Sequence, residues 1–277
     1  MSGGERRILM CPPDHYRIVY EINPWMDRRR PSHGESSRRQ WEALVALLER
    51  LGAAIERIDP VPELPDMVFT ANAGLICRDL FIPSRFRHEQ RRGESRLFCD
   101  WFAQRGYRIR ELEPTGDFEG AGDALFCGET LFAGYLHRSD IRTHQQLAKF
   151  VDFPVVSLEL VDPRFYHLDT CFCPLERGAA LFYPSAFDEY GRRVLERHIE
   201  RLIAVCDADA ERFACNAVVL GRDVVLNSGS ASTARELARL GFTAHPTDLA
   251  EYLKAGGAAK CLTLRLDGEE AAPWRNP

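Results

Sequence analysis

No run of about 18 consecutive apolar residues occurs in this sequence, so nothing in it reads as a membrane-spanning helix. The opening stretch, MSGGERRILMCPP, lacks the apolar core of a secretory signal. Together these absences lead to the expectation of a cytoplasmic protein without a membrane partner. A basic half or tail is missing as well, and with a net charge of −5 the chain is not expected to bind nucleic acid. No feature calls for a metal, a nucleotide or a flavin, so no cofactor is expected.

What is present is an ordinary globular composition, 45% hydrophobic and 28% charged, in a chain of 277 residues that can bury a sizeable core. It reads as one domain over 1–277, with 267–277 (DGEEAAPWRNP) as a polar tail. Nine cysteines are an odd number in a chain too long to need staples, and free thiols in a reducing compartment account for them. Cys171 and Cys173 form a CxC, but no second pair stands at zinc-finger spacing, and both are expected in the core.

The informative feature is a repeat. A polar residue leads into a short apolar strand at Asn72 (NAGLI), Asp123 (DALF), Asp169 (DTCF), Asn216 (NAVVL) and Cys261 (CLTL), at intervals of 51, 46, 47 and 45 residues. Between these points the order recurs. In 216–246, NAVVL reads as a strand, GRD as a turn and VVLN as a second strand; STARELARL has helical spacing, and GFTAHP returns as a third strand. Segments 122–160 and 72–112 follow the same plan.

The fifth unit is split. CLTLRL opens it at the C-terminal end, while RIVYEI, a helix over about 37–52 and AAIERID complete it at the N-terminal end. The expected fold is α/β: five ββαβ units around a pseudo-fivefold axis, an α/β-propeller closed by the two chain ends. A helix in every unit argues against an all-β propeller. In such a ring the opening residues of the first strands face one central cavity.

Those residues carry chemistry. YHLDT sets His167 and Asp169 at i and i+2, on one face if the segment is a strand. FEGAGDALF sets Glu119 and Asp123 around Gly120, Ala121 and Gly122, a turn that lets backbone approach a ligand closely. A thiol and a histidine suit covalent catalysis on an electrophilic carbon. Carboxylates around that carbon would repel an anion and hold a planar cation, for which guanidinium is the obvious candidate.

The motifs EINPWM, MVFTANAG, FEGAGDALF, FYHLDTCFCPL and GGAAKCLTLRL, together with the five-unit ring, resemble the guanidino-group-modifying (pentein) superfamily over nearly the whole chain. Within it the sequence is most similar to the catalytic domains of arginine dihydrolases. The resemblance implies a hydrolase of arginine's guanidino C–N bonds that passes through a cysteine thiouronium intermediate. It implies Cys261 as nucleophile, His167 as general acid and then general base, and Glu119 as the partner orienting His167 or the guanidinium. It also implies Asp123 and Asp169 gripping guanidinium and substrate chain, Arg85 and Arg138 binding the α-carboxylate, and Asn23 contacting substrate.

Asn72 stands where deiminases usually carry aspartate. Asparagine offers both donor and acceptor, so it could hold a neutral ureido group for a second attack, giving ornithine, carbon dioxide and two ammonia molecules. The main alternative is a dimethylargininase releasing citrulline and dimethylamine; a simple deiminase or an amidinotransferase fits less well. A non-catalytic ring of this fold, such as the ribosome-binding anti-association factor, would have no reason to keep Cys261, His167 and Glu119 together. The expected partner is a small guanidino compound, and the oligomeric state, homo-oligomer included, stays open.

Overall fold

The computed structural model describes residues 6–175 and 178–268. Along the chain run β1 (Arg6–Met10), α1 (Gly34–Arg50), β2 (Ala53–Arg57), β3 (Gly74–Cys77), β4 (Leu80–Pro83), α2 (Glu94–Gln104) and β5 (Arg108–Ile109). Next come β6 (Ala124–Cys127), β7 (Thr130–Tyr135), α3 (Ile141–Val151), β8 (Val155–Glu159), β9 (Phe172–Leu175), β10 (Ala179–Phe182), α4 (Glu189–His198) and β11 (Arg201–Ala204). The last are α5 (Asp207–Ala210), β12 (Val218–Leu220), β13 (Asp223–Asn227), α6 (Ala231–Arg239), β14 (Thr243–Thr247), α7 (Ala250–Leu253) and β15 (Leu264–Arg265).

The strands form five three-stranded sheets, ordered β3-β4-β5, β6-β7-β8, β9-β10-β11, β12-β13-β14 and β15-β1-β2. In each, the first strand of the unit lies antiparallel to the second and the second parallel to the third. The parallel step needs a crossover, and α1, α2, α3, α4 and α6 supply it. Three of the hairpins turn in two residues, and the first adopts a left-handed backbone: Gly128 and Gly221 at φ 59° and 71°, with Arg78 taking that conformation at φ 57°.

The helices are amphipathic in the expected sense. On α1, Trp41, Leu44, Val45 and Leu48 are buried at helical spacing. Asp140 and Asp188 cap α3 and α4 by accepting from the N–H of Arg142 and Gly191. Apolar side chains gather in four clusters around the ring. Cys171 and Cys173 lie buried in the largest, as the CxC reading expected.

Two expectations are corrected. RIVYEI (17–22) is not a strand; Arg6–Met10 takes its place and pairs with β2 on one side and β15 on the other, which leaves no edge for it. The Asn23 side chain instead accepts from Trp25 N and Met26 N, at 2.9 and 3.2 Å, in a turn that Pro24 helps to fix. The polar residues that open the units also stand ahead of their strands, not on them. Asn72 lies in the 3-10 turn Thr70–Ala73, Asp123 closes the turn Gly120–Gly122, and Asp169 lies in the turn Leu168–Thr170. Asn216 and Cys261 likewise precede β12 and β15. Of the tail expected at 267–277, residues 269–277 lie outside the described residues.

Candidate active site

The 3-10 turns pack against one another at the centre of the ring, and they carry the polar side chains there. His167 keeps an extended backbone just before its turn, with φ −122° and ψ 151°. The match of His167 and Asp169 to one strand face is therefore not the reason they point inward; the turn between them is. Gly120 adopts φ 59°, and a Cβ on it would meet the Gly74 backbone at 2.7 Å. A Cβ on Gly122 would stand 2.2 Å from Asn72 Nδ2 and 3.4 Å from His167 Nδ1. The glycines of EGAGD thus exist for close packing of one turn on its neighbours.

Glu119 and His167 form a buried dyad, with His167 Nε2 2.7 Å from Glu119 Oε2. The same oxygen accepts from Arg138 Nη1 at 2.9 Å, and Arg87 N donates to the other oxygen at 3.3 Å. Burial by itself would push the Glu119 carboxyl up, but Arg138, His167 and Arg91 together hold it well below the usual carboxylate range. Glu119 is therefore ionised and accepts only, which puts the histidine's proton on Nε2. His167 Nδ1 is buried and has no hydrogen-bond partner. Burial lowers the imidazole to about 4, against the pull of Glu119.

Cys261 is 2% exposed. Its Sγ accepts from Asn216 Nδ2 at 3.0 Å and donates to Asp169 Oδ2 at 3.3 Å. Asn216 Oδ1 accepts from the backbone N–H of both Ala258 and Cys261, at 3.0 Å each, and so ties the cysteine loop to the fourth unit. Burial and then the Asp169 charge push the thiol well above its ordinary range.

A narrow cavity reaches Cys261, lined also by Ile22, Asn23, Asp66, Asn72, Arg91 and Arg138, among others. Its volume is about 10 Å³. Arg138 crosses its wall, donating to Ile22 O at 2.8 Å and lying 4.6 Å from the centre of the Tyr166 ring. Asn23 Nδ2 donates to Ala255 O at 3.0 Å across the same opening.

Most of the residues singled out in the sequence come together here, and two do not. Arg85 is exposed, held by a backbone bridge to Phe118, and it lines a surface depression with Arg92 and Arg96 in place of the cavity. Asp123 is buried behind the site: Oδ1 accepts from Leu168 N at 3.0 Å and Oδ2 from Ser139 Oγ at 2.6 Å. Both oxygens fix the His167 turn and the Arg138 loop, and Asp123 does not line the cavity. Asp66 and Arg91 were missed. Asp66 stands just before the quoted MVFTANAG, and Arg91 is one arginine among several in RFRHEQRR; no periodicity marks either. Among the described residues no group of three or more His, Cys, Asp or Glu could hold a metal ion.

The family model for eukaryotic N,N dimethylarginine dimethylhydrolase matches residues 21–266. The bifunctional arginine dihydrolase/ornithine cyclodeaminase AgrE of Nostoc sp. is 48% identical over 265 residues, which cover 94% of this chain and 38% of that protein. The N(G),N(G)-dimethylarginine dimethylaminohydrolase of Mycobacterium tuberculosis is 42% identical, with 94% of this chain and 86% of that one covered. The solved N-terminal domain of ArgZ, an arginine dihydrolase from the ornithine–ammonia cycle in cyanobacteria, bound to substrate, matches with a TM-score of 0.92 and 48% identity, covering 95% of this chain and 98% of that one. The chain spans about two fifths of the length of the bifunctional relatives (38% and 37%). By sequence and by its ring of five units, the chain belongs to the N,N-dimethylarginine dimethylhydrolase family of the guanidino-group-modifying pentein fold.

Proposed function

We propose that the chain is an arginine dihydrolase, converting arginine and two waters to ornithine, carbon dioxide and two ammonia molecules. The observation that carries this reading is the cavity that reaches the buried thiol of Cys261, itself bonded to Asp169, and that is lined also by the guanidinium groups of Arg91 and Arg138. A substrate that is cationic and planar at one end and carries a carboxylate at the other fits such a site. Asp169, beside Cys261, would take the substrate guanidinium. Arg138 and Arg91 would serve its carboxylate, and Asp66 and Asn23 its ammonium end.

Cys261 Sγ then attacks the guanidinium carbon. The proton it loses is the one now shared with Asp169, and the bound cation offsets the carboxylate that discourages its loss. His167 takes that proton at Nδ1, which carries none in the resting dyad, hands it to the departing ammonia and next takes a proton from water, which attacks the thiouronium carbon; that proton returns to the sulfur as the C–S bond breaks. Glu119, ionised beside Arg138, holds the ring and stabilises its charged form. A ureido product results. Asn72 lets it be held for a second attack by Cys261 that expels the second ammonia; the second water then releases the carbamate of ornithine, whose remaining C–N bond breaks as the ornithine nitrogen takes a proton and the carbon leaves as carbon dioxide. Nine free cysteines support placing the protein in a reducing, cytoplasmic compartment.

A dimethylargininase is the second reading, favoured by the matching family model and by the Mycobacterium tuberculosis relative. Mass spectrometry of products from guanidine-labelled arginine and from asymmetric dimethylarginine, beside a Cys261→Ser control, separates the two. Ornithine from arginine, absent in the control, is the expected result; citrulline from dimethylarginine alone would replace our reading with the second. Asn72→Asp is expected to stop at citrulline, and continued ornithine release would remove Asn72 from the account.

A further inference from the structure

Behind Asn72 lies a buried ion pair of which the proposed reaction uses only Arg91, for the substrate carboxylate, and leaves Glu94 without a part. Arg91 and Glu94 are 3% and 0% exposed. Arg91 Nε and Nη2 each donate to one Glu94 oxygen at 2.9 Å, in a bidentate fork, and Nη2 also donates to Asp66 O at 3.2 Å. The guanidinium lies 4.5 Å from the centre of the Phe86 ring. Held in this way, it turns Nη1 onto Asn72 Oδ1 at 2.9 Å.

That contact decides which way the amide faces. A guanidinium only donates, so it can bond the oxygen of Asn72 and never the nitrogen. Asn72 Nδ2 is left on the other side, buried and without a partner, in the space beside Gly122 and His167 Nδ1. Asn72 therefore shows the site donors alone, not the donor and acceptor that its side chain carries in isolation. Two N–H groups are a poor match for a guanidinium, which is itself all donor. They match the oxygen of a ureido group.

We propose that the Arg91–Glu94 pair is a positioning unit that locks the Asn72 amide in its donor orientation and so sets how often the ureido intermediate is hydrolysed again before it escapes. This deepens the dihydrolase reading and rests on it. Arg91, with its fork spent on Glu94, works here through Asn72, while any further contact it makes with substrate concerns binding. The bland account, a buried pair kept for packing, predicts a different result: such pairs contribute little net stability, and removing one partner lowers the amount of folded protein.

The experiment reads a ratio, which does not depend on the amount of folded enzyme. Citrulline and ornithine formed from labelled arginine are quantified for wild type, Glu94→Gln and the milder Glu94→Asp, which keeps the charge but draws the fork back. Wild type is expected to release chiefly ornithine. Both variants should raise the citrulline-to-ornithine ratio about tenfold, the scale of one lost hydrogen bond to a charged group. Glu94→Asp gives the answer even where Glu94→Gln does not fold. Wild-type ornithine release with an unchanged ratio in the variants, whatever their total turnover, overturns the positioning role alone. Wild type that forms no ornithine overturns the two-round reading, and this inference with it.

Discussion

A thiol that donates its proton to a carboxylate is a poor nucleophile until something cancels the carboxylate. Cys261 is in that position, with Asp169 Oδ2 at 3.3 Å and almost no solvent. A cation bound against Asp169 removes the repulsion and supplies an attraction in its place. Alkylation of Cys261 should therefore show its pH midpoint well above that of an ordinary thiol in the free protein, and a lower midpoint with an unreactive guanidinium compound present. Equal midpoints would mean that the thiolate is generated without the substrate's charge. Gly122 permits a second test at this scale. A methyl there meets Asn72 Nδ2 at 2.2 Å, so Gly122→Ala must displace Asn72 or the turn. A misplacement near 1 Å costs roughly a hundredfold in rate, and kcat/KM should fall by about that much while the circular dichroism spectrum is kept. Residues of this kind were legible in the sequence because a thiol, a histidine and carboxylates recur in phase with the repeat, a pattern that packing alone does not produce. Arg91 was not legible: it is recognised only by what its guanidinium touches, and the arginines near it in sequence, Arg85 and Arg87, are exposed.

At the scale of single elements, the apolar strands and helices were readable and the short turns between them were not. The segment IRTHQQLAKFV gives α3 at Ile141–Val151, as its spacing predicts. The 3-10 turns that aim Asn72, Asp123 and Asp169 resemble strand beginnings in sequence, because one turn of three or four residues has no period of its own. The helices also carry a pH response. His144 on α3 is 4% exposed, its Nδ1 lies 2.7 Å from Ser157 Oγ on β8, and burial lowers it to about 4. The unfolded chain binds a proton at this residue near 6.5 and the folded chain only near 4, so between these values the unfolded state holds more protons. Stability is therefore full above that window and is lost as pH falls through it, by about 3 kcal/mol for this residue at pH 4. His167, also lowered to about 4, acts with the same sign. Urea titrations from pH 7 to pH 4 should show this slope in wild type and a shallower one, by close to one proton, in His144→Gln. An unchanged slope would place the protonation elsewhere.

For the whole molecule the decisive link is the sheet made by its two ends. The split fifth unit was legible from the interval between strands, which places Cys261 one repeat beyond Asn216 and leaves the unit to be finished at the other terminus. Which N-terminal segment finishes it was not: RIVYEI was the expected strand, and the pairing of β1 with both β2 and β15 gives that place to RRILM. The closure is slight. β15 has two residues, with Leu9 paired to Leu264, and Leu264 is 1% exposed among Leu9, Phe98 and Phe102. Yet Cys261 hangs just upstream of it, so the position of the proposed nucleophile depends on one of the shortest strands in the ring. Leu264→Ala removes the apolar anchor and is expected to cost about 2–5 kcal/mol. The loss should fall first on the segment that β15 secures, because local opening draws on the weakest cooperative unit. On heating, the variant's activity should disappear several degrees before its helical signal, whereas in wild type the two should fade together. Coincident loss in the variant would mean that the ring opens only as a whole, with β15 no weaker a joint than the four sheets built within continuous chain.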